Sequence, residues 1–211
     1  MRVVRPAFLR AVAARVKAAG ALLIADEVMT GFGRTRALFA CQKANIQPDL
    51  MALSKGLTGG FLPMGVTMAS ERLYQGFISE APSATFFHGH SFTANPLGCA
   101  AALASLDLLE AAPAAYGGFE ARHRPRLARL ADAQGRVSRP RCRGTIAAFD
   151  LVVEQPGYLN ALGRELQRRC LERGVYLRPL GHVVYLLPPL CLSDAQLDQC
   201  YGAIHGVLAE L

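Results

Sequence analysis

Tryptophan is missing from these 211 residues, and lysine nearly so. Lys17, Lys43 and Lys55 are the only three lysines; arginine supplies the rest of the positive charge. Charged residues make up 18% of the chain against 52% hydrophobic ones, a balance that excludes a disordered polypeptide and leaves ample material for a core. No apolar run approaches the roughly 20 residues that span a bilayer. The longest, around 21–25 and 183–192, are strand-sized, so no membrane partner is expected. The opening "MRVVRPAFLR" lacks the apolar stretch and cleavage site of a secretion signal, so a cytoplasmic location is expected. Six cysteines (41, 99, 142, 170, 191, 200) include no CxxC pair. Most lie in apolar or helical patterns, where a thiol behaves as a small hydrophobe, so a reducing compartment is expected.

The net charge of +7 is unevenly spread. Residues 122–143 hold eight arginines against the single acid Asp132, which leaves the rest of the chain close to neutral. A basic patch can bind nucleic acid. No aromatic residue interleaves these charges to stack on bases, and a solvated helix and loop account for them equally well. No nucleic-acid partner is expected.

Helical spacing of Phe8, Leu9, Val12 and Val16 predicts a helix over 7–19 that stops at Gly20. The continuous apolar run Ala21–Ala25 reads as a parallel strand buried on both faces. A glycine-punctuated loop, "TGFGRTRALFA", and a helical piece at 39–44 lead to a short strand, Leu50–Leu53. A third strand in "PMGVTMAS", a helix capped by Ser70, a polar aromatic loop at 85–95 and a small-residue helix opening on Pro96 follow. After Pro113 come a basic helix to about Leu130, a strand at 144–153, a helix at 158–173, strands near 175–177 and 183–187, and a last helix from about Ser193. Alternation of helix and strand predicts an α/β protein, with one part over 1–112 and a smaller α/β part over 113–211.

Ligands of open α/β sheets collect beyond the carboxyl ends of the strands. Asp26 and Glu27 follow one expected strand and Lys55 another. If the strands are parallel, an acid and an amine face one crevice. A lysine there can form an imine with an aldehyde cofactor, and a carboxylate can hold a pyridine nitrogen protonated. Charged residues also flank buried strands for no chemical reason, so position alone leaves both readings open. "GFGR" at 31–34 lacks the full dinucleotide fingerprint and carries little by itself. His88 and His90, two residues apart with no cysteine or carboxylate nearby, make a poor metal site.

The wording of the whole region is more specific. "LLIADEVMTGFGRT", "PDLMALSKGLTGGFLPMG" and "FFHGHSFTANPLGCAAALASLDLL" together resemble the class III aminotransferases that depend on pyridoxal 5'-phosphate (PLP). "HGHSFTANPLGCAAAL" and "GVYLRPLGHVVYLLPPL" resemble the biotin-pathway branch of that family. The resemblance implies fold type I, the aspartate-aminotransferase-like fold, with 1–112 belonging to the PLP-binding large domain and 113–211 forming the small C-terminal domain. It implies that Asp26 binds the pyridine nitrogen and that Lys55 holds PLP covalently and then shuttles the proton. His90 and Ser91 would approach the cofactor phosphate, and Gly89 the substrate, in a loop that crosses a homodimer interface. Arg178 would pair with the carboxylate of the acceptor, since a planar guanidinium suits bidentate binding. S-adenosylmethionine as amino donor and 8-amino-7-oxononanoate as keto acceptor are the small-molecule partners the branch implies. Without the resemblance, Ser91 reads as a turn or cap residue, Arg178 as surface background and His182 as a turn residue.

Two departures from the family pattern stand out. Arg36 occupies a place usually held by glycine. The chain also corresponds only to the C-terminal half of a family member, without the phosphate loop and ring-stacking aromatic of the other half. That leaves apolar sheet edges expected to be exposed, and a second reading, a catalytically silent fragment acting only by association.

Overall fold

The computed structural model describes residues 1–132 and 135–211. They form two compact units, Val4–Pro113 and Ala114–Leu211, the latter joined by Met1–Val3.

In the first unit, helix α1 (Pro6–Ala18) starts on a proline suited to the first helical turn and ends before Gly20, whose φ of +66° few other residues tolerate. Strand β1 (Ile24–Asp26) runs parallel to β2 (Leu50–Leu53), with α2 (Ala40–Ala44) in the crossover. Strand β3 (Val66–Ala69) returns antiparallel to β2, giving the order β1-β2-β3. Helix α3 (Glu71–Gln75) follows Ser70, and α4 (Pro96–Ala111) is capped by Asn95, whose Oδ1 accepts the Gly98 N–H at 2.7 Å. The expected cap at Ser70 is not formed by its side chain: the Ser70 hydroxyl is buried without a hydrogen-bond partner.

The expectation for Ala21–Ala25 needs correction. Strand β1 is short and lies at a sheet edge with one side unpaired among the described residues, and Ile24 is 64% exposed. The apolar stripe of α1 is open in the same way: none of its residues is buried.

The second unit builds a fuller core. Helix α5 (Pro113–Gly117) leads into α6 (Phe119–Asp132), followed by β4 (Val137–Arg143), β5 (Ile146–Leu151), α7 (Leu162–Glu172), β6 (Val183–Leu186) and α8 (Asp194–Glu210). The three strands form an antiparallel sheet with β5 in the centre, every residue of which is buried. Phe119, Phe149, Leu166, Val184, Leu197 and Ile204 make the heart of the core. Ser193 caps α8 in a capping box with Gln196, worth about 1 kcal/mol. Strand β4 was not anticipated. Its alternating arginines and Pro140 read as loop, but an edge strand tolerates proline, and the register shifts between Ser138 and Arg141 beside it. Residues 175–177 are not a strand; Val175 and Leu177 are buried in the core all the same.

The basic window is largely accounted for by ion pairs. Arg122 and Arg126 reach Asp194 and Asp198 on α8, Arg124 pairs with Glu120, and Arg139 and Arg141 converge on buried Asp150. All six cysteines are free, and burial pushes the Cys142 thiol up to about 12 and the Cys170 thiol up to about 11, as suits inert core groups. Among the described residues, no single helix is long and apolar enough to cross a membrane, and no cluster of His, Cys, Asp and Glu is suited to a metal.

Candidate active site

The carboxyl ends of β1 and β2 lie side by side, because the strands are parallel and Asp26 is in register with Ala52. Lys55 comes three residues after Ala52, at the start of a 3₁₀ turn, Lys55–Thr58. An exposed carboxylate and an exposed primary amine therefore leave the same edge of adjacent strands, which lie about 4.8 Å apart.

The two acids of the "DE" pair have different surroundings. Asp26 is exposed, and its Oδ1 accepts the Val28 N–H at 3.0 Å, which turns the chain away from the sheet. Glu27 is 2% exposed: its carboxylate accepts the Cys41 N–H at 2.7 Å and the Thr30 hydroxyl. Glu27 is thus a fastener between the strand end, its loop and the start of α2. Burial, followed by the nearby Glu27 charge, pushes the Cys41 thiol up to about 11. Spacing could not separate these two acids, since both follow the strand directly.

Lys55 has a φ of +48°, a left-handed conformation that a long side chain rarely adopts. Several contacts hold this turn, beginning with the Leu57 N–H on the Ser54 carbonyl at 3.1 Å and the Gly59 N–H on the Gly56 carbonyl at 3.1 Å. The Gly60 N–H donates to the Lys55 carbonyl at 3.2 Å, and the Ser105 hydroxyl on α4 donates to the Gly56 carbonyl at 3.1 Å. Phe32 is seated on Gly56 so closely that a β-carbon there would lie 2.8 Å from the Phe32 Cβ. Neither Phe32 nor Ser105 was singled out by the sequence; the signal available was "GFGR", whose glycines and aromatic serve packing. Arg36 has a φ of +74°, so this arginine takes a backbone conformation natural to glycine.

The loop at 85–95 is polar, aromatic and exposed, with Phe87 85% and Phe92 75% accessible. Gly89, His90 and Ser91 all lie on its surface. His90 is turned back on its own loop: its Nδ1 accepts the Phe92 N–H at 3.1 Å, and its backbone N–H donates to the Thr93 hydroxyl at 3.0 Å. Ser91 is exposed.

In the second unit, Arg178 is exposed, with no hydrogen bond or ion pair among the described residues, yet its backbone is pinned on both sides. Gln167 Nε2 on α7 donates to the Leu177 carbonyl at 2.6 Å. On the other side, Leu180 and Val183 close a tight turn around Gly181 and His182. A β-carbon on Gly181 would meet the Gly157 oxygen at 1.9 Å, and one on Gly163 would meet the Gly181 oxygen at 1.9 Å. His182 is the turn residue expected, its Nδ1 accepting the Gly157 N–H at 3.1 Å. A free guanidinium on a fixed backbone is suited to anchoring a carboxylate.

The donor set fits PLP at two points: an open carboxylate for the ring nitrogen and an open amine for the aldehyde carbon, at neighbouring strand ends. Comparison with known proteins shows the family. The model for the aminotransferase class-III family matches residues 1–208. The chain is 57% identical over all of its 211 residues to the adenosylmethionine-8-amino-7-oxononanoate aminotransferase of Synechococcus elongatus, covering 50% of that protein. The crystal structure of the enzyme of that name from Methanocaldococcus jannaschii superposes with a TM-score of 0.89 at 32% identity, over 96% of this chain and 49% of that one. An amine transaminase from an uncultivated Pseudomonas species, solved in a PLP-bound form, gives a TM-score of 0.84 at 31% identity, over 96% of this chain and 47% of that one. The chain spans about half the length of the relatives it matches. Its α/β architecture is that of fold type I PLP-dependent transferases. The chain belongs to the class-III aminotransferase family.

Proposed function

We infer that this chain carries the lysine half of a PLP-dependent aminotransferase centre, and that the adjacency of Asp26 and Lys55 at parallel strand ends is the observation that carries the reading. When bound, PLP supplies a ring that accepts electrons from the substrate carbon bearing the amine. Asp26 would pair with the ring nitrogen and keep it protonated. Lys55 Nζ would hold the cofactor at its aldehyde carbon and, when free, would take up and return the substrate's proton as a general base. Ser91 and the backbone around His90 offer donors to the phosphate, and Gly89 borders the substrate, from a loop presented to a second copy in a homodimer. Arg178 holds the carboxylate of the acceptor. The donor is S-adenosylmethionine and the acceptor 8-amino-7-oxononanoate, as the relative's name suggests; another ω-aminotransferase substrate pair is the alternative. Residues 1–112 belong to the PLP-binding large domain and 113–211 form the small C-terminal domain, a reading supported by the two compact units Val4–Pro113 and Ala114–Leu211.

A second reading is favoured by β1, one side of which is unpaired among the described residues, and by α1, which buries none of its residues. On that reading the chain is silent alone and completes its site only by association with a complementary half.

Borohydride trapping decides between them. The purified chain is incubated with PLP, reduced, digested and searched by mass spectrometry for a pyridoxyl adduct. The first reading expects the adduct at Lys55, absent in Lys55→Ala, with Lys17 and Lys43 unmodified. Equal labelling of all three lysines, or none, rejects it for the isolated chain. Labelling at Lys55 that appears only after the complementary half is added selects the second.

A further inference from the structure

The "TGFGRT" segment is left without a role by the reading above. It binds no phosphate in that scheme, yet Phe32 within it and Arg36 directly after it have unusual backbones, at φ +58° and +74°. Phe32 is 3% exposed, wedged edge-on against Phe39 at 5.6 Å between ring centres and pressed on Gly56. The loop that delivers it begins at Asp26. The Val28 N–H binds the Asp26 carboxylate, the Gly31 N–H donates to the Glu27 carbonyl at 2.9 Å, and the Glu27 carboxylate is fixed by Cys41 and Thr30. Gly31 is as confined as Gly56, because a β-carbon on it would lie 2.9 Å from the Glu27 oxygen and 3.3 Å from the Phe39 ring. A continuous run of contacts therefore connects the carboxylate arm to the residue following the lysine.

We propose that Phe32 is a positioning residue for Lys55: seated on Gly56, its side chain locks Lys55 in the left-handed conformation and ties the amine to the Asp26 arm. A non-glycine residue at positive φ persists only where its surroundings over-determine it. Two of the restraints on this turn, the Gly60 N–H and the Ser105 hydroxyl, are single hydrogen bonds. Phe32 supplies the steric one. Gly56 is required for the same reason, since any side chain there would displace the ring.

The inference takes from the proposed function the assignment of Lys55 as the cofactor amine, but its first test needs no cofactor. Amide hydrogen exchange of the whole chain is compared for wild type, Phe32→Ala and Phe32→Leu. In Phe32→Ala the Gly60 amide, which donates to the Lys55 carbonyl, exchanges about tenfold faster. The Asp49 and Ser70 amides, bonded to Leu23 and Asp49 at the far end of the strands, keep their protection. Phe32→Leu, which retains a branched apolar side chain over Gly56, keeps most of the protection at Gly60. An unchanged rate at Gly60 in Phe32→Ala overturns the proposal, as does a rise shared equally by Asp49 and Ser70, which marks general loosening. PLP trapping on the same variants then reads the amine: preference for Lys55 over Lys43 falls in Phe32→Ala and returns in Phe32→Leu. Wild type that labels without preference, with Gly60 still responding to Phe32→Ala, removes the cofactor role of Lys55 and leaves the positioning contact standing.

Discussion

Acidification from pH 7 to pH 5 is expected to cost the second unit about 2 kcal/mol of stability through one residue, His123. This imidazole is fully buried between α6, the β4–β5 turn and α8. Its Nε2 lies 3.1 Å from the Thr145 carbonyl, which can only accept, so Nε2 carries the proton and donates. Nδ1, 2.8 Å from the Tyr201 hydroxyl, accepts in turn. The neutral ring is thus satisfied at both nitrogens, while a charged ring would be desolvated beside Arg122 and Arg126. Burial is the main cause that lowers the pKa from 6.5 to about 4, and those two arginines add to it. A base depressed in the folded state leaves stability intact above its unfolded value of 6.5 and removes it as pH falls toward 4. The full loss approaches about 3 kcal/mol, at 1.36 kcal/mol per pH unit, with most of it spent by pH 5. Urea unfolding across this range, for wild type and His123→Gln, gives the difference in slope whatever the absolute stability of the variant. Parallel curves would refute the reasoning, because they would mean that the imidazole gains its proton equally in both states. The ¹⁵N shifts of the ring give an independent check, with Nε2 protonated and Nδ1 bare down to about pH 5.

Gly163→Ala should lower stability by at least the 1–3 kcal/mol typical of overpacking, since its β-carbon would stand 1.9 Å from the Gly181 oxygen; a thermal melt unchanged from wild type would contradict that contact. At position 36, with φ at +74°, Arg36→Gly should be more stable than Arg36→Ala by about 1 kcal/mol, reversing the usual order of the two residues; equal midpoints in denaturant would argue against the left-handed backbone.

The sequence made the strand ends readable because their chemistry is local. Lys55 follows a four-residue apolar run, and Asp26 another, so placing both at carboxyl ends needed only the alternation of helix and strand. Parallel pairing of β1 and β2 was a condition that the sequence left open and the structure supplies. Burial was harder to read, because it belongs to neighbours. "ALLIA" has the composition of a buried strand, but its exposure depends on what lies alongside, and one side of β1 has no partner among the described residues. Strand β4 was hidden by composition, as arginines that end in ion pairs with Asp150 look solvated in sequence. Roles that depend on distant contacts were illegible. Nothing in the local pattern says that Glu27 turns inward while Asp26 faces out, that Phe32 meets Gly56, or that His123 meets Tyr201, 78 residues away.

The free side of β1 has a practical consequence for handling the protein. Its unpaired strand edge adjoins Ile24, so two deficits occur together: bare peptide groups and bare hydrocarbon. A surfactant can mask the second and does nothing for the first. Copies of the chain kept in detergent would still be able to zip together edge to edge, strand on strand. A short extended peptide that offers both backbone groups and apolar side chains answers both deficits together, and is the better additive for keeping this chain in solution.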